Sequence, residues 1–341
     1  MEWSELKANA RENFNGACRV CPVCNGIVCA GEVPGMGGVG TGMSFRNNVK
    51  ALADIKLNLR TVHRVNAPIV ATTLFGQELS MPVLAAAVGG TSTNMKCKMT
   101  DSEYSIAVVM GSAQAGVLGM TGDGPNPASF LSGLAAIKAE QGRGIPIIKP
   151  REPEQIVKLA NEAAQAGAVA FGIDIDAAAL INMTRMGQPV GPKSFSELEY
   201  IKRNTRIPFI VKGIMTVDEA LACVEAGVDA IVVSNHGGRA MDHTPGTAEV
   251  LPAIAKAVQG RLVVMADGGV RSGIDVLKML ALGAEFVLVG RPVIVGAIGG
   301  AAEGVKMVMD RIAAELRTAM VLTGTSDVRT VSSRVIYPPA W

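Results

Sequence analysis

The stretch SNHGGRAMD at 234–242 sets an imidazole, His236, and a guanidinium, Arg239, on one loop opened by two glycines. Histidine exchanges a proton near neutral pH, and a planar guanidinium grips a carboxylate through paired hydrogen bonds. His236 can therefore take a proton while Arg239 holds the acid that loses it. Asp174 can orient the imidazole and stabilise its charged form, with Asp176 competing for that role. Lys212 can stabilise negative charge that develops on a bound ring. Further along, DGGVR at 267–271 and GRP at 290–292 are glycine-bearing turns, each followed by a helical pattern. Backbone N–H groups of Gly268, Gly269 and Gly290 and the helix N-termini can cradle a phosphate there, with Arg291 and Arg271 supplying charge.

Something must bring these residues together across more than a hundred positions of chain. From about residue 80, short apolar runs alternate with amphipathic stretches, the order of βα units feeding a parallel sheet. Eight strands are expected: Val83-Ala87, Val117-Met120, Pro146-Lys149, Val169-Ile173, Pro208-Lys212, Ala230-Ser234, Leu262-Ala266 and Phe286-Val289. Helical patterns such as Glu152-Ala166, Thr216-Ala226 and Ser272-Leu282 lie between them, most ending at a glycine that can serve as C-cap. Eight successive units point to an α/β fold of the (β/α)8 TIM-barrel kind, whose chemistry sits at the C-terminal ends of the strands. Lys149, Asp174, Lys212, Ser234-Asn235-His236, Asp267-Gly268-Gly269 and Gly290-Arg291 end strands three to eight in turn. Six successive strand ends of this type argue for a site rather than for ordinary exposed loops.

The 341 residues suit one barrel of about 250 residues with extensions. Residues 1–80 are read as an N-terminal extension packing on the barrel, 81–321 as the barrel and 322–341 as an extended C-terminal strap ending in Pro338-Pro339. Hydrophobic residues make up 49% and aromatics 4%, which suits strands buried on both faces by Ala, Val, Ile, Leu and Met. A net charge of +2 without a cationic block argues against nucleic acid. Tyr104 to Gly122 carries no charge, but its glycines read as a barrel helix turning into a strand, not a membrane span. The start, MEWSELKANARENF, has no apolar signal core, so a cytoplasmic location is expected. In a reducing compartment cysteines serve metals more than disulfides. Cys18, Cys21, Cys24 and Cys29 follow a C-x2-C-x2-C-x4-C spacing, close enough to wrap one iron-sulfur cluster or one zinc ion; a metal centre is favoured over inert thiols, and iron-sulfur over zinc. Cys97 and Cys223 fall in packing positions. Gly31-Gly42 (GEVPGMGGVGTG) is too glycine-rich for a regular element and is expected to fold over one barrel face.

VKGI at 211–214, SNHGGRAMD, DGGVRSGIDVLKMLALGA at 267–284 and GRP resemble the FMN-dependent 2-hydroxy-acid oxidases and dehydrogenases, such as glycolate and lactate oxidases. The likeness is dense from about residue 205 to 300 and continues through GTGMSFRNNVKAL at 40–52 and FGQELSMPVL at 75–84. It implies two-electron oxidation of a 2-hydroxy acid to a 2-oxo acid with FMN as the electron acceptor. It further implies Lys212 against the flavin N1–C2=O edge, His236 as the base, Arg239 on the substrate carboxylate and Asp174 paired with His236. Asp267, Gly268, Gly269, Arg271, Gly290 and Arg291 would hold the ribityl phosphate, and Ser234 would sit near the flavin. The same likeness implies a homo-oligomer.

The chain departs from that pattern at several positions. Where the family has a glutamine and then a tyrosine after strand three, this chain has Lys149 and Arg151, and a second family tyrosine before GTG is missing. Arg185 is the nearest candidate for a second carboxylate-binding arginine. Lys149 and Arg151 are expected to admit a more anionic substrate, such as a dicarboxylate or a phosphorylated acid, and Lys149 is also counted among the cofactor-binding residues. The leading expectation is a dehydrogenase that passes electrons to an acceptor other than oxygen through the cysteine cluster. One alternative is a non-redox FMN enzyme of the type 2 isopentenyl diphosphate isomerase kind, with Lys149 and Arg151 meeting a diphosphate. Another is a flavin or metal sensor that has lost catalysis, which the joint presence of His236, Arg239 and Lys212 opposes.

Overall fold

A computed structural model describes residues 1–337, apart from the side chains of residues 93, 181 and 182. Eight parallel strands close into a barrel: β1 (Val83–Ala85), β2 (Leu118–Thr121), β3 (Gly144–Ile148), β4 (Phe171–Asp174), β5 (Phe209–Ile214), β6 (Ala230–Val233), β7 (Val263–Ala266) and β8 (Phe286–Val289). They follow chain order around the ring, and β8 returns to β1 with Val287 opposite Val83. All eight match the expected strands to within two residues at either end.

Side chains on a strand alternate between two faces, and in a barrel both faces are dry. Leu84, Leu118, Met120, Ile145, Ile147, Ile210, Val232, Met265 and Leu288 fill the interior. Their neighbours Val83, Ile148, Ile173, Val211, Ile231, Val264 and Val287 face the helices. This explains why the strands read as apolar runs without polar alternation. Phe171 and Phe209, opposite one another on β4 and β5, stack with ring centroids 4.9 Å apart. Sequence reading missed the hairpin of Thr72–Leu74 with Gln77–Leu79, whose Leu74 and Leu79 join the interior cluster. Its strands are three residues each, too short for an alternating pattern to register.

The uncharged stretch from Tyr104 is most of the helix Asp101–Gln114 running into β2. The helix Arg291–Thr323 is long and apolar enough to cross a membrane, yet 56% of its most apolar window is buried. It breaks at Gly300 and Ala301, where the backbone leaves helical geometry, and packs on the helices Asp101–Gln114 and Trp3–Asn13. Residues 15–42 fold as successive turns up to the helix Met43–Asp54. The last helix continues to Thr323. Two 3₁₀ turns, Val328–Thr330 and Ser333–Val335, then run past Ile69 and Leu57. Pro338-Pro339 and the two residues after them lie outside the described residues.

Candidate active site

The C-terminal ends of β4 to β7 bring one proton-exchanging group and one buried cation together. His236 follows β6 with φ at +57°, a left-handed conformation that costs a non-glycine residue of order 1 kcal/mol. Local bonds hold it there: the His236 N–H donates to Ser234 Oγ at 3.1 Å, and its Nδ1 lies 2.9 Å from Asp176 Oδ1. Asp176, rather than Asp174, is therefore the imidazole's partner. Burial works against ionising Asp176, but the His236 ring beside it and the Lys212 ammonium outweigh burial and hold its carboxyl at about 2. The Lys212 ammonium, 4% exposed, donates to Ser234 Oγ at 2.9 Å and stands 3.5 Å from Asp267 Oδ2. Burial alone would lower its pKa; Asp267, Asp176 and Asp174 raise it instead, so the lysine stays charged at any physiological pH.

Three guanidiniums, from Arg239, Arg271 and Arg291, gather on the other side of this group. Among the described residues none of them pairs with a carboxylate. Arg239 Nη1 donates to the carbonyls of Gly35 and Gly37 at 2.7 and 2.9 Å, and Arg291 donates to Met36 O and Gly237 O, both at 3.1 Å. Burial, and then the neighbouring Arg271, pushes Arg291 down to about 9. A half-buried guanidinium lacking a counter-ion marks a place where an anion is wanted. The helix behind Arg291 begins at Gly290 with no side-chain cap, and a Cβ at Gly290 would touch only Ala86, at 3.9 Å. The helix behind Arg271 differs, since Asp275 closes its N-terminus by accepting from the backbone of Ser272 and Arg271. A phosphate thus has one open helix end at β8, while DGGVR offers the charge of Arg271 and not the glycine cradle expected at Gly268 and Gly269, whose open sides are filled by Thr247 and Asn48.

Gly268 and Gly269 owe their identity to packing. Both have positive φ, and a Cβ at 268 would strike Thr247 Oγ1 and Asn48 Oδ1, while one at 269 would reach Asn48 O at 2.5 Å. They let the helix Met43–Asp54 dock on the mouth, where Asn48 and Asn235 exchange hydrogen bonds at 2.8 and 3.2 Å. Asp242 ties the same helix to the His236 loop, accepting from the backbone of Thr41, Met43 and Ser44. Asn48, Asn235 and Asp242 were missed as positioning residues. Their signal lay in contacts between segments nearly two hundred residues apart.

Several expected ligands do something else. Arg151, 5% exposed, is locked in a buried ion pair with both oxygens of Asp123, and it also donates to Gly124 O and Gln188 Oε1. Lys149 Nζ lies 2.5 Å from Asp174 Oδ2, so Asp174 answers Lys149 and not His236. The charge expected to meet a second anionic group or a diphosphate is thus neutralised from within, which removes the support for a dianionic substrate and for the isomerase alternative. Arg185 is exposed on the short helix Ile181–Arg185 and touches none of these groups. Asp123 ends β2 in TGDGP and would have been found by the strand-end rule that picked out Lys149.

Cys18, Cys21, Cys24 and Cys29 are half-buried free thiols on the turns before the glycine segment. Burial raises Cys18 to about 11 and also raises Cys29. Among the described residues, the one group of three or more such ligands drawn within 4.8 Å is Asp174, Asp176 and His236, so the four sulfurs do not close that tightly. Arg271 Nη2 donates to Cys24 Sγ at 3.5 Å.

The mouth fits FMN. Asp174 Oδ1, Asp176 Oδ2 and Asp267 Oδ1 are buried at or just after strand ends without a partner among the described residues, where ring and ribityl groups can bond to them. The guanidiniums supply what a phosphate needs. A family model described as FMN-dependent dehydrogenase matches residues 35–190 and 183–338. The chain is 31% identical to 2-hydroxyacid oxidase 1 of Mus musculus, over 86% of this chain and 88% of that protein. It is 32% identical to L-lactate dehydrogenase of Xanthomonas campestris pv. campestris (strain 8004), over 87% and 89%. Peroxisomal (S)-2-hydroxyacid oxidase GLO3 of Arabidopsis thaliana is 49% identical over a shorter stretch, and the chain spans only 36% of that protein's length there. A solved structure of mandelate oxidase with benzoyl-formic acid superposes with a TM-score of 0.79 at 29% identity, covering 98% of this chain and 97% of that one.

Proposed function

The chain belongs to the FMN-dependent dehydrogenase family, and on that premise we propose that it oxidises a 2-hydroxy acid to the corresponding 2-oxo acid. Bound FMN supplies a sink for two electrons. His236 accepts the substrate proton at Nε2, because Nδ1 is held by Asp176, whose carboxylate stabilises the imidazolium that forms. Arg239 grips the substrate carboxylate through Nε and Nη2, which have no partner among the described residues, while Nη1 stays anchored on Gly35 and Gly37. Lys212, fixed by Ser234 and Asp267, supports negative charge on the bound ring. Arg271, Arg291 and the open helix end at Gly290 receive the phosphate.

The observation that carries this reading is the 2.9 Å His236–Asp176 pair standing beside the buried Lys212 ammonium, which faces Asp267 at 3.5 Å. Its test is anaerobic: record the visible spectrum of the purified protein and add a panel of monocarboxylic 2-hydroxy acids. A yellow protein bleached by one of them supports the proposal. A protein that binds no flavin, or whose flavin no hydroxy acid bleaches, refutes it.

For the cysteines we propose an iron-sulfur cluster. Among the described residues no three of the four sulfurs lie within 4.8 Å of one another, a looser arrangement than tetrahedral zinc, with Zn–S bonds of about 2.3 Å, requires. A one-electron carrier suits a donor that releases two electrons to an acceptor other than oxygen. We also place the protein in the reducing cytoplasm, where thiols stay open to metal, as a homo-oligomer.

A further inference from the structure

We propose that the cysteine turn and the FMN phosphate corner form one unit, in which filling the cysteine centre positions Arg271 and Phe45 and so tightens FMN binding. This rests on the reading that the four cysteines hold a cluster and that Arg271 and Arg291 meet the phosphate.

Arg271 touches Cys24 twice: Nη2 donates to the sulfur at 3.5 Å and Nε to the carbonyl at 3.3 Å. The guanidinium carbons of Arg271 and Arg291 lie 5.6 and 3.6 Å from the centroid of the Phe45 ring. The cysteine turn abuts the same ring, because a Cβ at Gly26 would stand 2.7 Å from Phe45 Cγ. Moving the backbone at 24–26 therefore moves a sulfur and a carbonyl that hold Arg271, and a ring on which both arginines rest.

The turn then passes directly into the segment that holds the other two guanidiniums. Glu32 N–H donates to Cys29 O at 3.2 Å and Gly31 N–H to Gly38 O at 3.0 Å, which folds residues 29–38 back on themselves. Within that fold Met36 O receives Arg291, and Gly35 O and Gly37 O receive Arg239. Charge favours the same assignment. Glu32 is spent on Arg19, in a two-pronged pair with both distances 2.7 Å, so three guanidiniums face this segment with no free carboxylate on it. Four thiolates around a cluster supply the missing negative charge next to Arg271. Residues 15–42 contain no helix or strand of their own, so ligation at four points is what can fix their shape. Coupling between two sites is reciprocal, so FMN should likewise help retain the cluster.

The test uses the full chain purified without oxygen, with iron and acid-labile sulfide quantified and the flavin stripped. FMN is then titrated and its binding followed by quenching of flavin fluorescence. The variants are Cys24→Ser and Cys29→Ser, with Cys223→Ser, buried in a barrel helix, as control. The first two should lose iron and weaken FMN binding about tenfold to a hundredfold, the range of one misplaced hydrogen-bonding contact to a charged group. Cys223→Ser should do neither. In an Arg271→Gln background the Cys24→Ser effect should shrink to the part carried by Phe45 and Arg291, whereas a general loosening of the fold would leave it whole. Wild-type protein devoid of iron and sulfide overturns the cluster reading and this inference with it. Iron present in the wild type, lost in Cys24→Ser, with FMN affinity unchanged or increased, overturns this inference alone.

Discussion

Replacing Asp123 with Asn isolates the buried charge of Arg151 and tests whether that residue is structural. Arg151 and Asp123 are 5% and 3% exposed, and the guanidinium takes both carboxylate oxygens. Gly124 O at 3.0 Å and Gln188 Oε1 at 2.8 Å complete its shell, and both are neutral. The variant keeps one oxygen acceptor but leaves a cation in a dry site without a counter-charge. Removing one partner of such a pair costs about 3–5 kcal/mol, a large part of the total of roughly 5–15 kcal/mol that holds a protein folded. The Asp123→Leu, Arg151→Met double variant should recover part of that loss, because apolar side chains replace a buried ion pair at little cost while the N–H groups of Gly124 and Lys149 lose the acceptor that Asp123 gave them. Urea unfolding followed by circular dichroism of wild type, Asp123→Leu, Arg151→Met and the double variant gives the cycle, with Asp123→Asn measured beside it. An Asp123→Asn cost below about 1 kcal/mol, or an Arg151→Met variant of normal stability but raised KM, would refute the reasoning and return Arg151 to the substrate.

Further outcomes follow from the mouth of the barrel. His236→Ala should keep FMN bound, with an intact flavin spectrum, yet lose anaerobic bleaching by the hydroxy acid that bleaches the wild type. Asp176→Asn should lower kcat by roughly 10³–10⁴ with KM little changed, as loss of the orienting carboxylate does in other histidine-based sites; steady-state kinetics decide it. Because the Asp176 carboxyl is held at about 2, below its usual 3.8, its stabilising contribution is complete at neutral pH and is lost as pH falls through about 2. It amounts to about 2 kcal/mol, so urea midpoints measured from pH 6 down to pH 2 should fall more steeply for wild type than for Asp176→Asn. Dicarboxylic and phosphorylated hydroxy acids should show no KM advantage over monocarboxylic ones of similar size, since Lys149 and Arg151 already have carboxylate partners.

The barrel was legible in the chain because its signal is local. Each strand is an apolar run dry on both faces, each helix is amphipathic, and the units repeat in order, so the eight strands could be placed to within two residues. The residues of SNHGGR, DGGVR and GRP were legible for a similar reason: chain order around a closed barrel fixes which strand ends are neighbours. Partnerships across the mouth were not. Asp174 and Asp176 differ by two positions, and only the 3₁₀ turn Ile175–Ala177 after β4 decides that the second reaches His236 while the first turns to Lys149. Arg151 reads as a free cation until Asp123, from the end of a neighbouring strand, is found beside it. The arrangement of Cys24, Phe45 and Arg271 spans nearly 250 residues, and no periodicity encodes it. Residue type and local pattern therefore fixed the scaffold and the inventory of reactive groups. Which charge meets which depends on ångström-scale distances between distant segments, and Coulomb and hydrogen-bond energies at those distances exist only once the chain has closed.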